Sequence, residues 1–142
     1  MMRALPIALL AGLLAVTANA ATVQTRLIRA TNTPVGTDKQ LHDVEAQLSK
    51  QFGYKYHRQL GLGKGALPGK GQTLRLDVGE GFTAFISPKA VEKQTHELAV
   101  ELYSGRAAVA KLTVKLTPGG HVLAGPIAVG NDCLILDLSL RE

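Results

Sequence analysis

Residues 97–116 read ELAVELYSGRAAVAKLTVKL, and this stretch decides the fold. Leu98, Val100 and Leu102 alternate with Glu97, Ala99 and Glu101. After Ser104-Gly105-Arg106, Ala110, Leu112, Val114 and Leu116 alternate with Lys111, Thr113 and Lys115. Successive side chains of a strand point to opposite faces, so each run presents an apolar face to a core and a polar face to water. The break between the runs carries turn chemistry. Folding one run back on the other across a five-residue loop sets Glu101 opposite Lys111 and Glu97 opposite Lys115, as cross-strand ion pairs. The stretch predicts an antiparallel hairpin.

The same alternation recurs along the chain. Val23 to Thr31 reads as a first strand with Arg26 and Arg29 solvated, and Tyr54 to Leu60 reads as a second. Leu74, Leu76 and Val78 alternate with Arg75 and Asp77; Phe82 to Ser87 forms a short strand ended by Pro88. Leu134, Leu136, Leu138 and Leu140 alternate with Ile135, Asp137, Ser139 and Arg141. Turn signals at Gly79-Glu80-Gly81, Pro118-Gly119-Gly120 and Gly130-Asn131-Asp132 punctuate the runs. Connections this short favour antiparallel pairing over βαβ crossovers.

One segment breaks the pattern. Thr37 is placed as a helix N-cap with Gln40 three residues on, a capping-box arrangement, and Leu41, Val44, Leu48 and Phe52 form one apolar stripe. Gly53 follows as a left-handed stop. The expected class is α+β: an antiparallel β-meander or small β-sandwich with one N-terminal amphipathic helix packed on the sheet.

The N-terminus carries an address. Arg3 precedes an apolar run from Leu5 to Val16, and Ala18-Asn19-Ala20 supplies the small residues of a cleavage site, so residues 1–20 read as a secretory signal peptide. The run is shorter than the roughly 18 residues that span a bilayer. Residues 21–142 then form a single β-rich domain with no transmembrane segment, exported to the periplasm or beyond. Cys133 is the sole cysteine, which leaves no internal disulfide and suits a packing role. Without Arg3, 15 Lys and Arg face 11 Asp and Glu, a net charge of +4 that suits an anionic envelope component or an acidic protein. Aromatic residues are sparse and no basic run of five occurs, so nucleic acid is not an expected partner.

Candidate chemistry is thin. Gly61 to Gly71, GLGKGALPGKG, reads as a glycine-dense loop in which Gly63, Gly65 and Gly69 beside Lys64 and Lys70 offer bare N–H groups and positive charge to an anion. It is not a Walker A element, because the glycine spacing is wrong and Gly71 stands where Ser or Thr is required. His96-Glu97 lacks the second histidine of a zinc-protease helix, since Val100 holds that position. Asp38 and His42 share a helix face at i,i+4 without a third ligand, which reads as solvated surface rather than a metal site. Ser49, Ser87, Ser104 and Ser139 lie outside any Gly-x-Ser-x-Gly elbow. No catalytic residue, metal or cofactor is therefore expected.

The sequence thus points to a non-catalytic binding or assembly module of the bacterial cell envelope. Two alternatives are a secreted inhibitor of a protease or lysozyme-like enzyme, presenting the 61–71 loop, and a hydrolase of an extracellular polymer. If Ala18-Asn19-Ala20 is the processing site, mass spectrometry of exported protein will find Ala21 first; retention of Met1 would refute it.

Overall fold

A computed structural model describes residues 21–141, so the expected signal peptide lies outside the described residues. Alternating sequence becomes strand throughout. The strands are β1 (Thr22–Thr31), β2 (Tyr56–Ala66), β3 (Leu74–Gly79), β4 (Phe82–Glu92), β5 (Thr95–Ser104), β6 (Ala107–Leu116), β7 (His121–Val129) and β8 (Asp132–Arg141). A 3-10 turn at Lys39–Leu41 and helix α1 (Glu45–Phe52) lie between β1 and β2. Every pairing is antiparallel, giving one sheet ordered β2-β1-β8-β7 and a second ordered β3-β4-β5-β6.

The hairpin of β5 and β6 has the expected register, with Glu97 opposite Lys115 and Glu101 opposite Lys111. Its loop is tighter than expected. A register shift after Leu102 sets Tyr103 opposite Ala108, leaving only Gly105 and Arg106 between the strands. The carboxylate of Glu101 accepts a hydrogen bond from Tyr103 Oη at 3.2 Å rather than bonding Lys111.

Inward-facing residues of both sheets merge into one buried cluster. Leu76, Ile86, Val100, Leu102 and Val114 come from the second sheet, and Val23, Leu27, Leu134, Leu136 and Leu138 from the first. The alternating leucines of β8 are the largest contribution from one strand, as their period of two requires. Leu41, Val44 and Leu48 belong to a separate buried cluster with Ile28 and Ala30 of β1, Leu123 of β7, and Cys133 and Ile135 of β8. These are the residues of β1, β7 and β8 that alternate with the main core.

The helical segment is shorter than expected, and its cap differs. Val44, not Thr37, precedes α1, and no side chain caps it. Thr37 Oγ1 instead accepts from the backbone N–H of His57 at 3.3 Å, and Asp38 Oδ2 from that of Gln59 at 2.8 Å. Both side chains tie the segment to β2, a competing use of the groups that would have capped a longer helix. Gly53 does end α1 in the left-handed conformation, at φ 76°.

One strand was not expected, and two further expectations fail. β7 interrupts its alternation at Gly125-Pro126, where the register with β8 shifts between Ala124 and Ile127; that interruption hid the strand. β4 runs past Pro88 to Glu92, because pairing with β3 stops at Leu74 opposite Ile86 and leaves Pro88 on an edge beside a bulge. Arg26 is only 8% exposed rather than solvated. Asp137 holds its Nε at 2.9 Å, and Asp43 its terminal nitrogens at 2.8 and 3.2 Å.

Because Leu48 is fully buried and Lys50 exposed, Leu48→Ala should cost about 2–5 kcal/mol. Lys50→Ala should cost less than about 0.5 kcal/mol. Chemical denaturation measures both; equal midpoints would show that the Leu48 cluster adds no stability.

Candidate functional site

The glycine-dense stretch is only partly a loop. Gly61, Gly63 and Gly65 lie within β2, opposite Leu27, Thr25 and Val23 of β1. Directly opposed residues share a face, so these three glycines point inward with Val23 and Leu27. There they meet β3. A Cβ on Gly61 would overlap the carbonyl of Val78, one on Gly63 would sit 2.7 Å from the Asp77 carbonyl oxygen, and one on Gly79 would overlap the Leu60 carbonyl. Close approach of two backbones is a sufficient reason for glycine at all three positions.

The structure also separates the two lysines. Lys64 is exposed on β2 opposite Gln24, whereas Lys70 lies in the β2–β3 connection with Gly69. Gly69 faces open space, and its carbonyl accepts from Gln72 N–H at 3.1 Å to close a turn. Lys70 lines a concavity of ≈ 230 Å³ together with Thr73, Ser87 and Lys89.

Thr73 and Ser87, whose hydroxyls hydrogen-bond at 2.9 Å, also border a larger open concavity of ≈ 510 Å³. This one lies on the outer face of the second sheet. Strand pairing builds that face in rows: Arg75, Phe85, Glu101 and Lys111 stand side by side, and the row of Asp77, Thr83 and Tyr103 adjoins it. Phe85 and Tyr103 meet edge to face, with centroids 5.4 Å apart and planes at 83°. Arg106, presented by the β5–β6 turn, lines the same concavity as Arg75. Around the two neighbouring hollows stand Lys70, Arg75, Lys89 and Arg106, against Glu101 in the lining and Asp77 in the adjoining row. The arrangement can hold an anion by charge-assisted hydrogen bonds and pack an apolar ring face on an aromatic one.

A second polar cluster lies on the first sheet. Asp137 accepts from Arg26 and stands 3.1 Å from His121 Nδ1, beside a hollow of ≈ 360 Å³. Ser139 is opposite His121, so Ser, His and Asp are neighbours here. Ser139 makes no hydrogen bond to the His121 ring among the described residues, and Asp137 is engaged by the guanidinium. Arg26 also donates to the Gln40 carbonyl at 3.1 Å. The cluster thereby ties the segment before α1 to β1 and β8. The Arg26 hydrogen bond, opposed by burial, holds the Asp43 carboxyl below its usual range.

The remaining candidates are dispersed. Asp38 and His42 do not share a helix face, because helix begins only at Glu45; Asp38 instead pairs with Arg58 at 3.3 Å. His96 sits on β5 opposite Leu116. Cys133 is buried and unpaired, and burial pushes its thiol up in pKa, away from nucleophilic reactivity. His57 is fully buried, and neither ring nitrogen finds a partner. Among the described residues no group of three His, Cys, Asp or Glu could hold a metal, and no helix is long and apolar enough to cross a membrane.

The sequence reading missed this aromatic and basic face. Its signal was present as the alternation of Arg75 with Leu74 and Leu76, and of Phe85 with Ala84 and Ile86, but the alignment of these residues depends on strand register. Comparison with protein families, curated proteins and solved structures finds no match to this chain.

Burial lowers the pKa of His57 from its ordinary 6.5, only partly opposed by Glu45. Below about pH 6.5 the unfolded chain therefore takes a proton that the folded one resists, and stability falls as pH drops. His57→Leu should flatten this loss between about pH 7 and pH 5. Denaturation midpoints across that range decide it; parallel curves for the two proteins would contradict the assignment.

Proposed function

We propose that this chain is a non-catalytic binding module of the bacterial cell envelope, exported by its N-terminal segment and attached to an anionic component through the outer face of the second sheet. The observation that carries the reading is the placement of Arg75, Arg106, Lys70 and Lys89 around a half-buried aromatic pair. Cations at this density attract an oxyanion-bearing surface, and arginine forks bind carboxylate or phosphate with two parallel bonds.

Edge pairing gives a weaker account of attachment. β2 lies beside β3 and β6 beside β7, so each edge of one sheet runs along an edge of the other. The Gly61 to Gly65 stretch of β2, packed on β3, leaves little room for an incoming strand. The inhibitor alternative loses part of its presented loop, because residues 61–66 are strand. Export is supported by the order of the chain, in which β1 begins at Thr22, just past Ala18-Asn19-Ala20.

Sedimentation with purified envelope tests this proposal. Wild-type protein should co-sediment and be released as salt rises, since exposed charges are screened. The double variant Arg75→Gln/Arg106→Gln should bind about tenfold more weakly, through loss of charged hydrogen bonds. Lys64→Gln, on the other sheet, should behave as wild type. Loss in Lys64→Gln with retention in the arginine variant would place attachment on the first sheet instead.

A further inference from the structure

We infer that the outer face of the second sheet recognises an acidic glycan, a chain of sugar rings bearing carboxylate or phosphate; this rests on the binding reading above. Three features select that chemistry from other anions. The first is charge, with Arg75 and Arg106 both lining the ≈ 510 Å³ concavity and Lys70 and Lys89 lining its neighbour, against Glu101 in the lining and Asp77 in the adjoining row.

The second is the geometry of the aromatic pair. Phe85 and Tyr103 are half-buried and meet at 83°, so they do not form one flat platform. A strand of nucleic acid stacks successive parallel bases and gains from parallel aromatic faces. A sugar ring needs one aromatic face for its C–H groups, with polar groups disposed around it. The third feature supplies those groups. Thr73, Thr83 and Ser87 place hydroxyls on the same wall, and each can donate and accept. Thr73 and Ser87 already bond each other, which holds them in place without using all of their capacity.

An acidic peptide fits less well. Its backbone groups would lie over a sheet face whose own N–H and C=O groups are committed to the ladders joining β3, β4, β5 and β6. On this face, away from the strand edges, a peptide gains no added-strand pairing. Sugar hydroxyls, by contrast, bond side chains, and side chains are what this face offers.

Affinity electrophoresis of the purified protein tests the inference. Gels contain polygalacturonate for a carboxylated glycan, phosphomannan for a phosphorylated one, methyl-esterified polygalacturonate for the same rings without charge, polyglutamate for carboxylate without rings, and poly(dT) for nucleic acid. One or both charged glycans should retard the protein, and whichever does identifies the oxyanion. The ester and polyglutamate should each retard it about tenfold more weakly, because each lacks half of the recognition. Arg75→Gln and Tyr103→Leu should both lose retardation while keeping wild-type circular dichroism. Tyr103→Phe, which keeps the ring, should retain it.

Equal retardation by polyglutamate would reduce the face to a charge patch, and stronger retardation by poly(dT) would make it a nucleic-acid surface; either overturns the inference. Absence of retardation by both charged glycans overturns it too. If envelope sedimentation persists in that case, the binding reading stands with a different ligand; if sedimentation also fails, both fall.

Discussion

Contact between two bare backbones, Gly61 of β2 and Gly79 of β3, is the constraint on which the rest of the structure depends. The Cβ built on either residue falls on a carbonyl of the other strand, Val78 or Leu60. Glycine at both positions lets the edge of one sheet run along the edge of the other, and a turn between β6 and β7 brings the opposite edges together. The inward leucines and valines are thereby enclosed on two sides as well as above and below. The entropic cost of glycine, up to about 1 kcal/mol at each position, is the expense of that closure.

The two outer faces have opposite fates. On the first sheet, Ile28, Ala30, Leu123, Cys133 and Ile135 are buried in a cluster with Leu41, Val44 and Leu48. The Arg26–Asp137–Asp43 network adds a directional tie beside it. Buried ion pairs contribute little net stability but are costly to break singly, so this network's effect is to fix where the segment sits. On the second sheet the corresponding positions hold Arg75, Phe85, Glu101, Tyr103 and Lys111, none of them fully buried. The face left in water is the one that carries the arginines and the aromatic pair, a division that follows from which strands alternate leucine with isoleucine and which alternate leucine with charge.

The sequence made legible whatever depended on period. The β5–β6 hairpin, the inward leucines of β8 and the left-handed stop at Gly53 all follow from residues a few positions apart. What it hid depended on partners distant along the chain. Asp137 stands between Leu136 and Leu138 as one polar residue of an outward face, and nothing local reveals that Arg26, 111 residues away, lies beside it. The glycines of β2 look like a flexible loop for the same reason, since β3 is what makes them necessary. Thr37 and Asp38 carry a convincing cap signature that β2 claims first. The aromatic face was invisible because its rows exist only once β3, β4 and β5 are in register.

Gly61→Ala tests the central constraint most directly. Its added methyl group would meet the Val78 carbonyl in a place where neither strand can retreat without opening the edge. Chemical denaturation should register a loss of about 1–3 kcal/mol or more. Gly69→Ala, facing open space in the same glycine-rich stretch, should change stability by less than about 0.5 kcal/mol. Equal midpoints for the two variants would contradict the account, because β2 and β3 would then not need to meet as bare backbone.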